Sequence, residues 1–234
     1  LDVLIVHAHP EPRSFCAALA RTALETLSGV GHRVEISDLY AMKFDPVAKA
    51  ADFGQRRDAG YLNYALEQRH NTELGTLAPD IEAELQKLLC CELLVLVFPL
   101  FWFSTPAILK GWIDRVLVSG ATYGGRRLYD RGGLVGRKAL LGITLGGREA
   151  MFGPGALHGP IEDMLRHLLQ GTLAYVGLEV LPPFYAWHTP YVGEEVRAGY
   201  LLAWRRHLLA LDRLQPLSFP KLGDFDDQLA PRRG

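Results

Sequence analysis

The longest uncharged run in the chain, Leu93 to Leu109, is the feature that leaves the fewest folds open. It is about as long as the shortest helix that crosses a bilayer, so a membrane span has to be weighed first. Its punctuation argues against one. Pro99 and Pro106 divide the run, Ser104 and Thr105 lie between them, and Lys110, Asp114 and Arg115 follow on the next turns. What remains is a continuous apolar strand, Leu93 to Phe98, of the kind buried on both faces of a parallel sheet, then a loop and a helix. Thr105 as N-cap and Pro106 at the first helical position would start that helix, with Ile108, Leu109, Trp112, Ile113, Val116 and Leu117 as its buried stripe.

A parallel sheet needs crossover connections, and the rest of the chain supplies them. Asp2 to Val6 reads as a strand ending in a His-Ala-His-Pro-Glu-Pro loop, after which Ser14 can cap a helix carrying Phe15, Leu19, Ala23 and Leu27 inward, closed by Gly29 and Gly31. Arg33 to Ser37 is a second strand. A helix with Ile81, Leu85 and Leu88 leads into the third, Arg137 to Thr144 is the fourth, and Leu178 to Leu181 is the fifth, stopped by Pro182 and Pro183. A helix from about Gly159 would bury Ile161, Met164, Leu165, Leu168 and Leu169, and a last one, roughly Glu194 to Leu214, would bury Val196, Tyr200, Trp204, Leu208 and Leu211. This alternation predicts an α/β fold with a doubly wound five-stranded parallel sheet, one domain over residues 1–214 and a C-terminal tail over 215–234. Tyr40 to Pro79 has no clear period and is too long for an ordinary connection, so it is expected to be a functional excursion near a site.

Charge narrows the partners. Lys and Arg number 25 against 26 Asp and Glu, so no whole-protein field steers the chain onto nucleic acid or an anionic membrane, and a small molecule or another copy of the chain is expected instead. Among the three cysteines, Cys90 and Cys91 are adjacent, a poor spacing for a bridge, which makes a disulfide scaffold unexpected. The opening residues read as a strand rather than a secretory leader, and a cytoplasmic location is the expectation.

In doubly wound sheets ligands bind beyond the carboxyl ends of the strands, so the loops after Val6, Phe98 and Thr144 should converge. The first brings His9, Arg13 and Ser14 to a helix N-terminus, which favours an anion, although a capped helix beside a solvated loop accounts for it equally well. The second, Phe98-Pro-Leu-Phe-Trp-Phe-Ser-Thr-Pro, is more aromatic than a helix start requires and could flank a flat heteroaromatic ring; ordinary core is the default for any single aromatic there. The third, Thr144-Leu145-Gly146-Gly147, lets backbone N–H groups approach a ligand without a side chain between. No G-x-G-x-x-G or P-loop opens a helix, no zinc spacing accompanies His7, His9, His158 or His167, and no G-x-S-x-G elbow is present, so a Rossmann domain, an NTPase, a metal site and a serine hydrolase are all disfavoured.

Taken in order, these segments resemble the FAD-dependent NAD(P)H:quinone oxidoreductases, DT-diaphorase and its relatives, over nearly the whole chain. The resemblance rests on Phe98 to Val116, on Ser37-Asp-Leu-Tyr-Ala-Met-Lys-Phe44, on Leu77-Ala-Pro-Asp-Ile81, and on Thr144-Leu-Gly-Gly147 with His158-Gly159. It implies a flavodoxin-like fold, a homodimer with the site at the subunit interface, FAD (with FMN as the alternative), and ping-pong hydride transfer from NAD(P)H through the flavin to a quinone. By the same resemblance His9, Ser14, Phe15 and Cys16 hold the phosphates and ribityl chain, Cys16 standing where the family has a polar residue. Pro99, Leu100, Phe101, Trp102 and Phe103 line the isoalloxazine, and Thr144, Leu145, Gly146 and Gly147 meet its pyrimidine end. Asn63 of a second copy, with Glu194 and Arg197, reaches toward the adenosine.

The substrate pocket implied is Trp102, Phe103, Gly146, Gly147, Met151 and His158 from one subunit, with Tyr123 and Tyr175 from the other. His158 is the expected proton donor to the flavin or the quinone oxygen, since an imidazole can give and recover a proton near neutral pH. A structural histidine capping the next helix is the alternative. Gly146 and Gly147 complete the expected catalytic group. Phe152 and Gly125 stand where the family carries tyrosines, so one stabilising hydrogen bond beside His158 is missing and a modest slowing is expected. Two rivals share the fold: an FMN-dependent nitro- or azoreductase, and the ancillary flavoproteins of bacterial potassium-efflux systems. The latter tend to be shorter, and the 40–79 excursion and the tail favour the free enzyme.

Overall fold

The computed structural model describes residues 1–232; the last two residues of the expected tail lie outside the described residues. Four parallel strands make the body of the sheet: β1 (Asp2–His7), β2 (Arg33–Asp38), β3 (Leu93–Pro99) and β4 (Lys138–Thr144). All seven residues of β3 are buried, as a run without alternation requires. The strand order is 2-1-3-4-5, and the order reverses between β1 and β3, where Val3 to His7 pair with Leu93 to Val97. Every ladder is parallel, as the crossover helices demand.

The fifth position is a correction to the five-strand expectation. Two short strands, β5 (Glu179–Val180) and β6 (Phe184–Ala186), both pair with β4, against Lys138–Ala139 and Gly142–Thr144 respectively. Pro182 and Pro183 interrupt the edge by removing two ladder donors rather than ending it, and six strands result.

Alternate residues of β1 feed two cores. Val3 and Ile5 pack with Leu19, Ala23 and Leu27 of α1 (Phe15–Gly29) and with Trp204 and Leu208 of the last helix, whereas Leu4 and Val6 face the opposite layer. That layer holds Ile81, Leu85 and Leu88 and the stripe Leu109, Trp112, Ile113 and Val116. Ser14 caps α1 as expected, its Oγ accepting from Ala17 N–H at 3.0 Å. α2 (Tyr64–Leu74) and α3 (Pro79–Cys90) follow β2. α4 (Ala107–Val116) begins one residue later than expected, with Pro106 at the cap and Thr105 buried without capping it.

The helix expected from Gly159 is broken into α5 (Ile161–Met164), α6 (Arg166–Leu168) and a π-helical segment, Leu169–Ala174. Ile161, Leu165, Leu168 and Leu169 are nonetheless buried as the spacing predicts, and Met164 is half-buried. α7 (Glu194–Leu209) stops short of Leu214, and Val196, expected inward, is exposed. No helix among the described residues is long and apolar enough to cross a membrane.

The 40–79 excursion is not loose. α2 lies within it, and Arg115 on α4 anchors the segment from below: Nη2 and Nε donate to Asp52 at 2.8 and 3.2 Å, Nη1 to Asp80 at 2.6 Å and to the Asp45 carbonyl at 2.8 Å. Tyr64 Oη–H adds a 2.6 Å bond to Asp52. Burial alone would resist ionisation of Asp52, and the guanidinium and the phenol overcome that, holding its carboxyl below the usual aspartate range.

Candidate active site

A cleft of about 450 Å³ opens beyond the carboxyl ends of β1, β3 and β4, at the point where the strand order reverses. Its walls are His9 and Ser14 to Cys16 at the start of α1, Pro99 to Phe101, Thr144 to Gly146, and Thr189, Pro190 and Arg197 from the other side. A second cleft of about 440 Å³ lies at the opposite end of β4, under tail residues 216–221, with largely apolar walls; of the expected site residues only Tyr175 borders it, its ring 5.8 Å from that of the lining Tyr129.

At the α1 end, Ser14 Oγ accepts the capping bond from Ala17 N–H and keeps its proton to donate, next to the N–H groups of Phe15 and Cys16 in the first turn of the helix. His9 Nδ1 accepts from Glu11 N–H at 3.0 Å, which places its ring proton on Nε2. Burial outweighs Glu11 and holds the His9 pKa below the ordinary imidazole value, so His9 is a neutral donor. Arg13, an expected anion ligand, instead turns to Glu11 at 3.2 Å, and Arg197 on α7 supplies the guanidinium that lines the cleft. Burial pushes the Cys16 thiol far above its usual value; its Sγ lies 4.0 Å from His7 Nδ1 and is packing, not a nucleophile.

The aromatic turn is the most constrained part. Phe101 N–H donates to Ser104 O at 3.0 Å and Ser104 N–H to Phe101 O at 2.9 Å, closing a two-residue turn in which Trp102 and Phe103 both have left-handed backbone, φ 51° and 58°. Such turns favour Asn-Gly, and each larger residue held there costs about 1–3 kcal/mol. The neighbourhood holds it in place: Leu100 N–H donates to Thr144 O at 2.8 Å, and Ser104 Oγ pairs with His167 Nε2 at 3.0 Å. Trp102 is 95% exposed, so core packing does not explain it.

Beside this turn the rings cluster. His158 lies 5.2 Å from Phe103 and 5.1 Å from Phe152, and Phe152 lies 5.1 Å from Trp187. His158 N–H donates to Met151 O at 2.9 Å, which fixes the 151–158 loop. A Cβ on Gly147 would come to 3.0 Å from the Phe152 ring, a tight contact that would press the ring outward. Phe103, Gly147, Met151, Phe152 and His158 are thus brought together as expected.

Tyr123, Tyr175 and Asn63, expected from a second copy, lie outside this cleft within the single chain. Tyr123 and Tyr175 pack against each other at 5.8 Å with tilted rings, in a depression with Ile113 and Asp114. Asn63 caps α2, accepting from Leu66 N–H at 3.3 Å, and Glu194 is an exposed first-turn residue of α7 outside the cleft walls. The residues missed are Trp187, His188, Thr189 and Pro190. The rule about strand carboxyl ends would have found them had the sheet been read through Pro182-Pro183, because they follow β6.

The donor set suits a phosphate-bearing aromatic group: an anion site at a helix N-terminus, then an exposed aromatic turn, then glycine N–H groups. Residues 2–208 match a family model described as flavodoxin-like fold, and the chain belongs to that family. Within it, the chain is 39% identical over 216 residues to the ribosyldihydronicotinamide dehydrogenase [quinone] of Pongo abelii, covering 92% of this chain and 94% of that one. It is 38% identical over 224 residues to NAD(P)H dehydrogenase [quinone] 1 of Rattus norvegicus, covering 95% and 82%. A Klebsiella pneumoniae structure assigned as a quinone reductase superposes with a TM-score of 0.93 at 36% identity, covering 99% of this chain and 93% of the other.

Proposed function

We propose that this protein is an NAD(P)H:quinone oxidoreductase that uses FAD. The observation that carries the reading is the convergence on one cleft of a helix N-terminus, the Pro99 to Phe101 arm that leads into the strained aromatic turn, and Thr144 to Gly146. Bound flavin would supply the redox chemistry, accepting hydride from a nicotinamide and returning the electrons to a quinone. His9 Nε2–H, Ser14 Oγ–H and the first-turn N–H groups of α1 would hold its phosphates, with Arg197 adding charge toward an adenylate half. Trp102 and Phe103 would wall the ring, and the glycine N–H groups would stabilise negative charge at its pyrimidine end, the kind of fixed donor that usually contributes most.

His158 would donate a proton to that charge or to the quinone oxygen. Phe152 cannot relay it, having no hydroxyl, so water must serve. A second copy of the chain would bring Tyr123, Tyr175 and Asn63 to the site. The exposed Phe101 of the cleft wall, with the exposed Trp102 beside it and the exposed Tyr191 following the lining Pro190, supports such a cover.

The purified protein is expected to be yellow, and acid extraction followed by chromatography should release FAD. Release of FMN alone would favour the nitro- or azoreductase reading, and a colourless protein that takes up neither flavin would overturn the proposal. His158→Ala is expected to retain its flavin and slow anaerobic reduction by NADH or NADPH about 100-fold, the low end of what a positioned proton donor contributes. Unchanged rapid-reaction rates would remove His158 from the mechanism.

A further inference from the structure

After β6 the chain turns back beside residues 145–147 and engages three successive carbonyls. Thr189 N–H donates to Leu145 O at 2.9 Å, His188 Nδ1 meets Gly146 O at 2.7 Å, and His188 N–H donates to Gly147 O at 2.9 Å. A carbonyl has no proton to give, so His188 Nδ1 carries the ring hydrogen. The histidine is held at φ 55°, a left-handed conformation that costs a side-chain-bearing residue, and its ring packs 4.7 Å from Tyr191. Side chain and amide are both engaged, which is what keeps the strained backbone in place.

The consequence follows from peptide geometry. In a trans peptide the carbonyl and the next N–H point to opposite sides, and the chain has no cis bond among the described residues. Tying the carbonyls of Leu145 and Gly146 to the 188–189 segment turns the N–H groups of Gly146 and Gly147 away from it. Neither N–H donates to another protein group among the described residues, and Gly146 lines the cleft. Two successive N–H groups left free on that side can donate to a negative charge placed there.

We infer that His188 is a positioning residue. Its Nδ1–H clamps the Gly146 carbonyl and so holds the Gly146-Gly147 peptide with its N–H free for the charge that gathers at the flavin's pyrimidine end. The inference rests on the flavin reading above and adds a residue to it.

Three substitutions separate the clamp from bulk packing. His188→Asn keeps an N–H near the Nδ1 position and tolerates left-handed backbone; His188→Ala removes the donor; His188→Gly removes donor and strain together. In flavin-free protein, the Gly147 amide resonance should move in the alanine and glycine variants and stay near its place in the asparagine variant. In flavin-loaded enzyme, the alanine and glycine variants should reduce about tenfold more slowly. Their two-electron midpoint potential should fall by about 30 mV, the equivalent of a tenfold loss in equilibrium constant. His188→Asn should stay within about twofold of the parent. An amide signal unmoved in every variant refutes the clamp, and a moved signal with unchanged rate and potential refutes its part in the reaction. Amide shifts as expected in a protein that takes up no flavin would refute the flavin reading, and the clamp's role with it, while leaving its geometry standing.

Discussion

Trp102→Ala is expected to leave the melting temperature of the flavin-free protein nearly unchanged while weakening flavin retention about 10–100-fold and lowering turnover with it. The reason is the combination of two observations that rarely go together. The indole is 95% exposed, so it contributes almost nothing to folding, yet its backbone is held at φ 51°, which costs free energy. A residue that destabilises the fold and packs on nothing is kept for what docks against it, and losing a large aromatic contact of that kind costs about 1.5–3 kcal/mol of binding. Trp102→Gly sharpens the test: it should raise the melting temperature by relieving the turn, yet lose flavin to the same extent. Thermal melts of apoprotein beside flavin titration provide both readouts. A variant with full flavin and full kcat would show that the ring lies elsewhere.

The second large effect is on stability. Arg115→Met should destabilise the protein by about 3–5 kcal/mol at neutral pH, because it leaves the Asp52 carboxylate, 0% exposed, without its cation. For a chain of this size that corresponds to a fall of roughly 6–20 °C in melting temperature. The pH dependence has a definite sign. With Arg115 present the folded-state pKa of Asp52 lies below its unfolded value, so its contribution is complete above about pH 4 and is lost as pH falls through the lower, folded value. In the methionine variant the buried carboxyl prefers its neutral form, so the gap between the two proteins should narrow in acid. Urea unfolding at neutral pH and near pH 4 would measure it; a gap that is constant or widens in acid would mean that Asp52 is not the partner that matters.

The same network explains where reading the sequence fell short. α2 escaped notice because the side it buries is polar. Glu67 accepts from the N–H groups of Arg57 and Asp58 at 2.7 and 3.0 Å, Asn71 Nδ2 donates to Gln55 O at 2.8 Å, and Gln68 Nε2 donates to Asp114 O at 3.0 Å. A helix whose inward residues are Glu, Gln and Asn has no apolar period, and periodicity is the main signal that one sequence offers. The edge of the sheet was obscured for a related reason. Pro182-Pro183 is a local stop, and only pairing of Phe184 to Ala186 with Gly142 to Thr144 brings the chain back into the ladder.

The site divides along the same line. Of the residues proposed for it, His9, Ser14, the 98–106 turn, Gly146 and Gly147 could be singled out because each sits where a strand ends or a helix begins, whereas His158 lies in a loop and was singled out through the family resemblance. His188 and Arg197 were harder to read, since what they do depends on carbonyls and walls contributed from some 40 to 180 positions earlier in the chain.

What the sequence determined by itself was the alternation of apolar strands and amphipathic helices, hence the doubly wound sheet and the end of it at which a ligand binds; burial of apolar surface is nearly additive along a chain and can be read from it. The tertiary structure alone decided which polar groups are paired, which backbone N–H groups are left free, and which strained residues are retained. Those are properties of contacts between distant segments, where hydrogen-bond geometry and desolvation act together and no local pattern records the outcome.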